Sequence, residues 1–213
     1  MKITETVLVV NNNAVYVAAC QQLILSEAQA VVHVLVASTQ VRLSRNELRA
    51  TVRPRREDIL RYYKKQSSDL SHSIAYGDNV AILALRPYGA IGVDIEPYSV
   101  TPRAHIAERF FTPHERQMLQ DVAEGPAREK AFRNLWTLKE AALKCAGGTV
   151  PTNLADVWTQ TALPASFPAP IAIGWNKHFL KAGNTPTTAL LFEPCANHVA
   201  TVVCSDAMQK SIV

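Results

Sequence analysis

Strand and helix patterns occur in blocks along this chain, and their order restricts the possible fold more than any other feature. Three helical patterns follow one another at about 103–110, 113–123 and 126–146, and strand patterns lie before and after them. A doubly wound sheet requires steady alternation of strand and helix, so this order favours an α+β fold. The strand patterns are residues 6–10, 80–86, 90–96, 157–161, 171–174, 189–192 and 199–204.

The first half of the chain gives less regular patterns. A helix is predicted from Leu25 to about residue 36, and another over 42–52, followed by a basic stretch at 53–65. The strand patterns at 80–86 and 90–96 are separated by Pro87-Tyr88-Gly89, a short turn that predicts a hairpin.

Length and composition suit a folded chain with a sizeable core. The 213 residues are 48% hydrophobic and 19% charged, which fits one large domain or two small, closely packed ones. A net charge of +4 suits acidic partners but falls short of a nucleic-acid-binding signature. The four cysteines form no zinc-binding spacing. No signal peptide and no apolar run of about 20 residues is recognisable, so we expect a soluble, cytoplasmic protein without a membrane segment.

Two acidic residues interrupt the strand pattern at 90–96. Asp94 and Glu96 share one face of the predicted strand, whereas Val93 and Ile95 share the other. Aspartate is disfavoured inside strands, and two neighbouring carboxylates repel each other unless a cation lies between them. Mg²⁺ fits such a pair because it binds carboxylates together with water and phosphate oxygens. A solvated polar face on an edge strand is the alternative.

The predicted helix over 126–146 ends at Gly147-Gly148, a typical C-terminal signal. Its Arg133, Glu140 and Lys144 lie at the rim of the apolar face. Glu140 and Lys144 there either line a site or form an ordinary surface ion pair. Lys139 projects into the apolar face itself, so it either extends to solvent or pairs with a buried acid.

Two further segments carry polar side chains. Thr112, Pro113 and Glu115 form a capping-box pattern at a helix start, which gives Glu115 a structural role. His72 stands between Ser71 and Ser73, and the imidazole and a neighbouring hydroxyl are suitable donors to a phosphate oxygen.

Four motifs together resemble the pattern of the 4′-phosphopantetheinyl transferase superfamily, in its longer form typified by the surfactin-synthetase-activating enzymes. They read LSHS at 70–73, GVDIE at 92–96, FTPHE at 111–115 and WTLKEAALK at 136–144. The order and the approximate spacing are those of the family, and the resemblance covers about residues 69–150.

The resemblance implies a pseudo-twofold α+β fold of two similar halves, expected at residues 1–98 and 99–213, with coenzyme A in the cleft between them. It implies an enzyme that transfers 4′-phosphopantetheine from coenzyme A to a serine of an acyl or peptidyl carrier protein, with Mg²⁺, and releases 3′,5′-ADP. Acidic helices of the carrier protein would suit the basic charge of the chain. A monomer is expected because both halves of the site belong to one chain.

The resemblance also assigns residues. The implied magnesium ligands are Asp94, Glu96 and Glu140. Lys144 would neutralise the pyrophosphate of coenzyme A, and Glu140 would take the serine proton, directly or through water. Glu115 corresponds to the family's acid near the metal, which makes it a catalytic candidate besides its capping role.

The implied contacts with the phosphates of coenzyme A lie in the first half, where the sequence departs from the family. Ser71 and His72 match the motif, but His33 is the only potential cation in the segment after Leu25, where the family has Lys or Arg. Arg42 and Arg45 are candidate replacements, as are Lys64 and Lys65, which stand where a Gly-Lys-Pro loop is expected.

Three other functions are compatible with these patterns. The departures in the first half suit a weak or inactive relative that binds carrier proteins or acyl chains without transfer. Residues 53–65, with six basic residues and two tyrosines, suit a nucleic-acid-binding surface, although Glu57 and Asp58 interrupt the run. A metal-dependent phosphohydrolase is the third.

Overall fold

Two antiparallel sheets of five strands each form the centre of the computed structural model. The structure describes residues 2–6, 16–25, 30–38, 41–98, 104–147, 154, 157–159, 169–175 and 187–205, and the statements below concern those residues. One sheet has the strand order β1-β2-β3-β5-β4 and the other β6-β10-β9-β8-β7. The strands are β1 (Lys2–Thr6), β2 (Tyr16–Leu25), β3 (Ala30–Ser38), β4 (Ser71–Tyr76), β5 (Val80–Arg86), β6 (Ala90–Pro97), β7 (Val157–Thr159), β8 (Ala169–Trp175), β9 (Thr187–Phe192) and β10 (His198–Ser205).

One long helix packs on the outer face of each sheet, and two short helices join the second one. The helices are α1 (Arg45–Lys64), α2 (Ala104–Phe110), α3 (Pro113–Gln120) and α4 (Pro126–Cys145). In the described part of the chain, no helix is both long and apolar enough to cross a membrane. The observed mixture of helices and antiparallel sheets agrees with the predicted α+β class.

The apolar side chains divide into layers. The inner faces of the two sheets pack against each other through residues such as Val34 and Ile82 from the first sheet and Val93 and Val202 from the second. The outer face of the first sheet, with Leu35, Leu83 and Leu85, packs under α1. The outer face of the second sheet packs under α4. The layers are therefore helix, sheet, sheet and helix, which leaves strands such as β5 buried along their whole length.

The predicted hairpin between 80–86 and 90–96 is wrong, although both strands exist. β5 pairs with β3 and β4, whereas β6 pairs with β10 in the other sheet. At the crossing, Gly89 has φ +78°, and a Cβ there would lie 2.6 Å from the carbonyl oxygen of Ser205. Both strands are covered on two faces, so their apolar patterns contain no information about which partner each strand takes.

The helix predicted from Leu25 to about residue 36 is also wrong. Residues 30–38 form β3, which lies between β2 and β5. The β-branched residues Val31, Val32, Val34 and Val36 suit a strand better than a helix, and pairing on both sides confirms that preference. The strand predicted at 6–10 overlaps β1 only at Thr6, and its remainder lies outside the described residues.

The helix predicted over 42–52 is longer than expected. It continues as α1 through the basic stretch to Lys64 and contains Pro54 in its interior. A capping box at Ser44 and Glu47 starts it, and Leu48, Val52 and Ile59 anchor it to the sheet. The predicted helices of the second half are confirmed as α2, α3 and α4, and the strands after them as β7 to β10.

The division into halves at residue 98 remains a prediction. β6 ends at Pro97, within the first predicted half, but its hydrogen bonds are made in the second sheet. The chain therefore passes from one sheet to the other at residues 87–89, ahead of the proline-rich segment.

Candidate active site between β6 and α4

Gly92 determines how closely α4 approaches β6. A Cβ atom at this position would lie 2.0 Å from the carbonyl oxygen of Ala141 and 2.4 Å from the amide nitrogen of Cys145. Both are backbone atoms of α4, so no side-chain rotation relieves the overlap. Glycine therefore allows the last two turns of α4 to rest directly on the strand.

The strand and the helix run in opposite directions along this contact. Gly92 meets α4 at Ala141 and Cys145, whereas Glu96 meets it at Arg133. The four steps from Gly92 to Glu96 cover about 13 Å along the strand, and the eight steps from 141 to 133 cover about 12 Å along the helix. The two distances are nearly equal, so both contacts can form at once. The face of β6 that carries Asp94 and Glu96 consequently lies along the polar rim of α4.

Asp94 and Lys144 form the closest ion pair of this contact. Lys144 Nζ lies 2.6 Å from Asp94 Oδ1 and also donates to the carbonyl oxygen of Val93 at 3.1 Å. Asp94 is 5% exposed, and its Oδ2 atom is buried without a hydrogen-bond partner. Burial raises the pKa of the Asp94 carboxyl, and the Lys144 ammonium opposes that rise.

Glu140 lies one turn before Lys144 on α4, and its carboxylate carries no ion pair to the described residues. The surface ion pair with Lys144 that its spacing allows is absent, because Lys144 turns to Asp94 instead. Burial, followed by the negative charge of Asp94, raises the pKa of Glu140 to about 7, and Lys144 opposes the rise. A carboxylate whose pKa is raised toward neutrality in this way is suited to take up a proton.

Glu96 is bound by a cation that the sequence analysis did not assign to the site. Arg133 Nη1 donates to Glu96 Oε2 at 3.0 Å, and Arg133 Nε donates to Glu129 Oε1 at 2.8 Å. The Arg133 side chain is only 1% exposed. Its sequence signal was a position at the rim of the apolar face of the helix, which by itself does not distinguish a site residue from a surface charge.

The donor set of the three carboxylates fits a hard divalent cation. Asp94 has an unpartnered buried oxygen, and burial followed by the negative charge of Asp94 raises the pKa of Glu140; a nearby cation would relieve both features. In the described residues, no three His, Cys, Asp or Glu side chains are already arranged around a metal position. The ligand set Asp94, Glu96 and Glu140 thus stays a prediction that the chemistry of the site supports.

Glu115 is completely buried and has structural partners. It closes the capping box with Thr112, and its Oε2 atom lies 2.9 Å from Lys139 Nζ, which is also completely buried. Lys139 donates in addition to the carbonyl oxygen of Leu154 at 2.9 Å. The alternative that Lys139 pairs with a buried acid is confirmed, and these contacts tie α3 to α4 through Glu115. The catalytic role expected for Glu115 stays a prediction.

The Ser-His-Ser segment lies on β4, next to β6. Ser73 Oγ accepts a hydrogen bond from the Val93 amide at 3.1 Å, which links the first sheet to the strand that carries Asp94. Ser71 Oγ donates to the carbonyl oxygen of Gly89 at 2.5 Å. Ser71 and Ser73 thus face β6, and His72 faces the other way, toward α1. The structural role of Ser73 was not assigned from the sequence, although its motif was recognised.

The candidate phosphate-binding cations lie at opposite ends of α1. Partial burial lowers the pKa of His72, and the charge of Lys64 lowers it further, so His72 belongs to the C-terminal end. Arg45 lies at the N-terminal end, where its charge counteracts the burial that raises the pKa of Asp94. At 1.5 Å per residue, Arg45 and Lys64 are about 28 Å apart along the axis. One phosphate group therefore cannot contact both.

The remaining cations of this region lie at the surface. Arg42 pairs with Asp78 at 2.6 Å, and Lys65 is the C-cap of α1. In the basic stretch, Arg53 pairs with Glu57 and Arg61 with Asp58. The acidic residues that interrupt this stretch thus neutralise part of the charge on which a nucleic-acid-binding surface would depend.

Residues 90–182 match the sequence model of the 4′-phosphopantetheinyl transferase superfamily. This segment is less than half of the chain, and it contains β6 and α4. The chain is 39% identical over 88 residues, or 40% of its length, to a putative 4′-phosphopantetheinyl transferase of Synechocystis. It is 33% identical over 81 residues, or 38% of its length, to the 4′-phosphopantetheinyl transferase HetI of Nostoc, and 30% identical over 100 residues, or 45% of its length, to the 4′-phosphopantetheinyl transferase gsp of Aneurinibacillus migulanus.

These similarities cover only part of each relative. The matched segments span 35%, 34% and 41% of the length of the three relatives, respectively. What they support directly is the part of the chain that builds the contact between β6 and α4.

Proposed function

We propose that this chain is a 4′-phosphopantetheinyl transferase, which moves the phosphopantetheine group of coenzyme A to a serine of an acyl or peptidyl carrier protein. The observation that carries the proposal is the convergence of Asp94, Glu140 and Lys144 between β6 and α4, within the segment that matches the superfamily. The longer, surfactin-synthetase-activating form of the family is part of the proposal.

The chemistry requires positioning and charge neutralisation more than covalent catalysis. The serine oxygen of the carrier protein forms a bond to the phosphorus atom that bears pantetheine, and the bond from that phosphorus to 3′,5′-ADP breaks. Glu140 takes the serine proton, directly or through water, and Lys144 stabilises the negative charge on the leaving phosphate. Asp94 and the carbonyl oxygen of Val93 hold Lys144 beside the carboxylates, which supports this role.

Asp94, Glu96 and Glu140 would hold a magnesium ion in this enzyme. When bound, the ion supplies charge neutralisation and orientation for the pyrophosphate of coenzyme A. The unpartnered Oδ2 atom of Asp94 supports this assignment.

Coenzyme A would extend from this site along the first sheet. Among the cations predicted in the first half, Arg45 is the one whose charge affects the pKa of both Asp94 and Glu140, alongside the larger effect of burial. His72 and Lys64 form a separate group of hydrogen-bond donors, with Lys65 at the adjoining helix end. In this proposal the two groups bind different phosphates of one extended ligand.

The halves 1–98 and 99–213 are proposed to be related by a pseudo-twofold axis. Each five-stranded antiparallel sheet carries one 20-residue helix, which supports the relation, although β6 of the first half pairs in the second sheet. β6 and α4, which form the carboxylate site, belong to one chain, and this arrangement supports a monomer as the active form.

Mass spectrometry of an apo carrier protein after incubation with coenzyme A, Mg²⁺ and this protein tests the proposal. We expect the carrier protein to gain the mass of phosphopantetheine, and Asp94→Ala or Glu140→Ala to abolish the gain. Lys130→Met is the matched control, because it removes an exposed cation of α4 that pairs with Glu193 at 2.7 Å.

Failure of the wild-type protein with several carrier proteins, while circular dichroism shows a folded chain, would contradict the proposal. Retention of the carrier protein without modification would then indicate a binding protein, the alternative suggested by the separated cations of α1. Breakdown of coenzyme A in the absence of a carrier protein would indicate a phosphohydrolase.

A further inference from the structure

Arg133 is a completely buried cation in the candidate active site, and the transfer chemistry described above assigns it no task. Its guanidinium lies 3.0 Å from Glu96 Oε2 and 2.8 Å from Glu129 Oε1. The Phe132 ring lies 5.6 Å from its central carbon. A charge in such surroundings requires an explanation, because removing a guanidinium from water is costly.

Stability alone does not explain the burial. Replacing a buried ion pair by apolar side chains of similar volume is often neutral or stabilising, so a fold that needed only cohesion would be served as well by an apolar residue. A guanidinium instead provides fixed directions, because its planar donors hold carboxylates in defined orientations. Orientation of a particular carboxylate is therefore the function that the burial of Arg133 supports.

The exposure of the partners identifies that carboxylate. The side chain of Glu96 is 24% exposed, whereas those of Arg133 and Glu129 are 1% and 11% exposed. Of the two carboxylates that Arg133 binds, Glu96 is thus the one that stays more accessible to solvent. Glu129 lies one turn earlier on the same helix as Arg133 and accepts a hydrogen bond from its Nε atom.

Arg133, Glu96 and Glu129 together carry a net negative charge. One guanidinium shared by two carboxylates leaves a net charge of −1, so Arg133 orients Glu96 without removing the attraction for a cation. Lys144 binds Asp94 through a single oxygen in a comparable way and leaves Asp94 Oδ2 unpartnered. Each acidic residue of β6 is consequently bound by its own cation from α4.

We propose that Arg133 is a positioning residue that holds Glu96 in the orientation required to bind a divalent cation together with Asp94 and Glu140. The inference rests on the proposed function for the identity of the site. It adds a residue that acts on the cation only through Glu96.

Binding of Mn²⁺ to the protein with coenzyme A, followed by electron paramagnetic resonance without any carrier protein, tests this role. Arg133→Met removes the donors and keeps the volume, and we expect it to weaken Mn²⁺ binding about 10- to 100-fold, as is typical when a partner of a metal ligand is lost. Arg133→Lys keeps the charge without the planar donors, so its Mn²⁺ affinity should lie between those of the wild type and Arg133→Met. Lys130→Met, a change to an exposed cation on the same helix, should bind Mn²⁺ like the wild type.

A combined variant separates positioning from a general effect on the fold. In the Glu96→Gln background, Arg133→Lys should cause no further loss of Mn²⁺ affinity, because the carboxylate that it orients is gone. An undiminished further loss would overturn the inference, as would wild-type affinity in folded Arg133→Met. If Arg133→Met does not fold, wild-type affinity in Arg133→Lys overturns it equally.

The carrier-protein assay keeps the two proposals apart. Modification of the carrier protein by the wild type, with Mn²⁺ affinity independent of Arg133, refutes only the positioning role. Mn²⁺ binding that depends on Arg133 in a protein that modifies no carrier protein refutes only the transferase.

Discussion

The two long helices, α1 and α4, are both 20 residues long, yet they differ in burial and in where the ion-pair partners of their cations lie. α1 buries only Leu48, Val52 and Ile59, and its Arg53 and Arg61 pair with acids four and three positions away on the same helix. α4 is buried from residue 131 to 139. Its cations Arg133 and Lys144 pair with acids of β6 that lie 37 and 50 positions away.

The difference shows how a helix comes to carry a site. Charges that are paired locally at the surface are solvated and add little to stability. Charges that are buried between two elements acquire fixed partners, altered pKa values and strong interactions. The superfamily match also falls on the part of the chain that contains α4.

The largest effect is expected from a side chain that obstructs the contact between α4 and β6. Gly92→Ala places a Cβ 2.0 Å from a backbone oxygen of α4, so the helix must move away or the chain must fail to pack. We expect loss of the native near-ultraviolet circular dichroism and of carrier-protein modification. Gly77→Ala is the control, because the nearest atom to its Cβ would be a side-chain carbon at 3.3 Å, and a wild-type spectrum for Gly92→Ala would contradict the described contact.

A smaller but still large effect is expected at the buried pair beneath α4. Lys139→Met removes the cation that balances the charge of the Glu115 carboxylate, and both side chains are completely buried. Breaking such a pair from one side costs about 3–5 kcal/mol of unfolding free energy, which denaturation by urea would measure. The double variant Lys139→Met/Glu115→Leu should recover part of that loss, and an unchanged midpoint for the single variant would show that the pair is not buried.

On the side of α1, the largest expected effect depends on pH. His33 lies on β3, against Tyr63 of α1, and burial, aided by the charge of Arg55, lowers its pKa to about 4. Since the folded pKa lies below the unfolded value of about 6.5, the stabilising contribution is complete above pH 6.5 and is lost as the pH falls to 4. A shift of this size corresponds to about 3 kcal/mol.

Urea denaturation between pH 7 and pH 4 measures this contribution. His33→Gln should flatten the decline in unfolding free energy with falling pH, whereas His105→Gln, which changes an exposed histidine of α2, should leave the decline as in the wild type. A decline of equal slope in His33→Gln would assign the pH dependence to other groups.

The smallest effect is expected at the solvent face of α1. Arg53→Met removes a pair with Glu57 whose partners are both largely solvated, and such pairs contribute little. We expect no measurable change in the denaturation midpoint or in carrier-protein modification. A clear loss of modification with unchanged stability would mean that this face of α1 contacts a ligand or a partner, and the comparison between the helices would then need revision.

Features that depend on neighbouring residues were predictable from the sequence. The capping box at Thr112 and Glu115 and the helix that ends before Gly147 are formed by local hydrogen bonds and backbone preferences, and both are present. The alternation in Gly92 to Glu96 correctly placed the two acidic side chains on one face of β6. The burial of Lys139 with an acid was one of two alternatives, because a helical pattern shows that a lysine points inward but not what it meets.

The pairing of elements across the chain required the tertiary structure. The strand at 30–38 and the separation of β5 from β6 depend on partners up to more than a hundred residues away, such as β10. The same holds for Arg133, whose rim position on the helix has a surface ion pair as an equally good explanation until Glu96 is placed beside it. Local periodicity defines which face of an element is apolar, and only packing decides which other face covers it.

The sequence therefore determined the carboxylates, the lysine and the helix and strand that carry them, because these depend on residue type and short-range spacing. The tertiary structure decided that Lys144 binds Asp94, that Arg133 binds Glu96, and that Glu115 is buried in the interior with Lys139. The physical reason is burial. In water these charges would have many equivalent partners, whereas the close contact of α4 with β6 at Gly92 leaves each charge with the few partners within its reach.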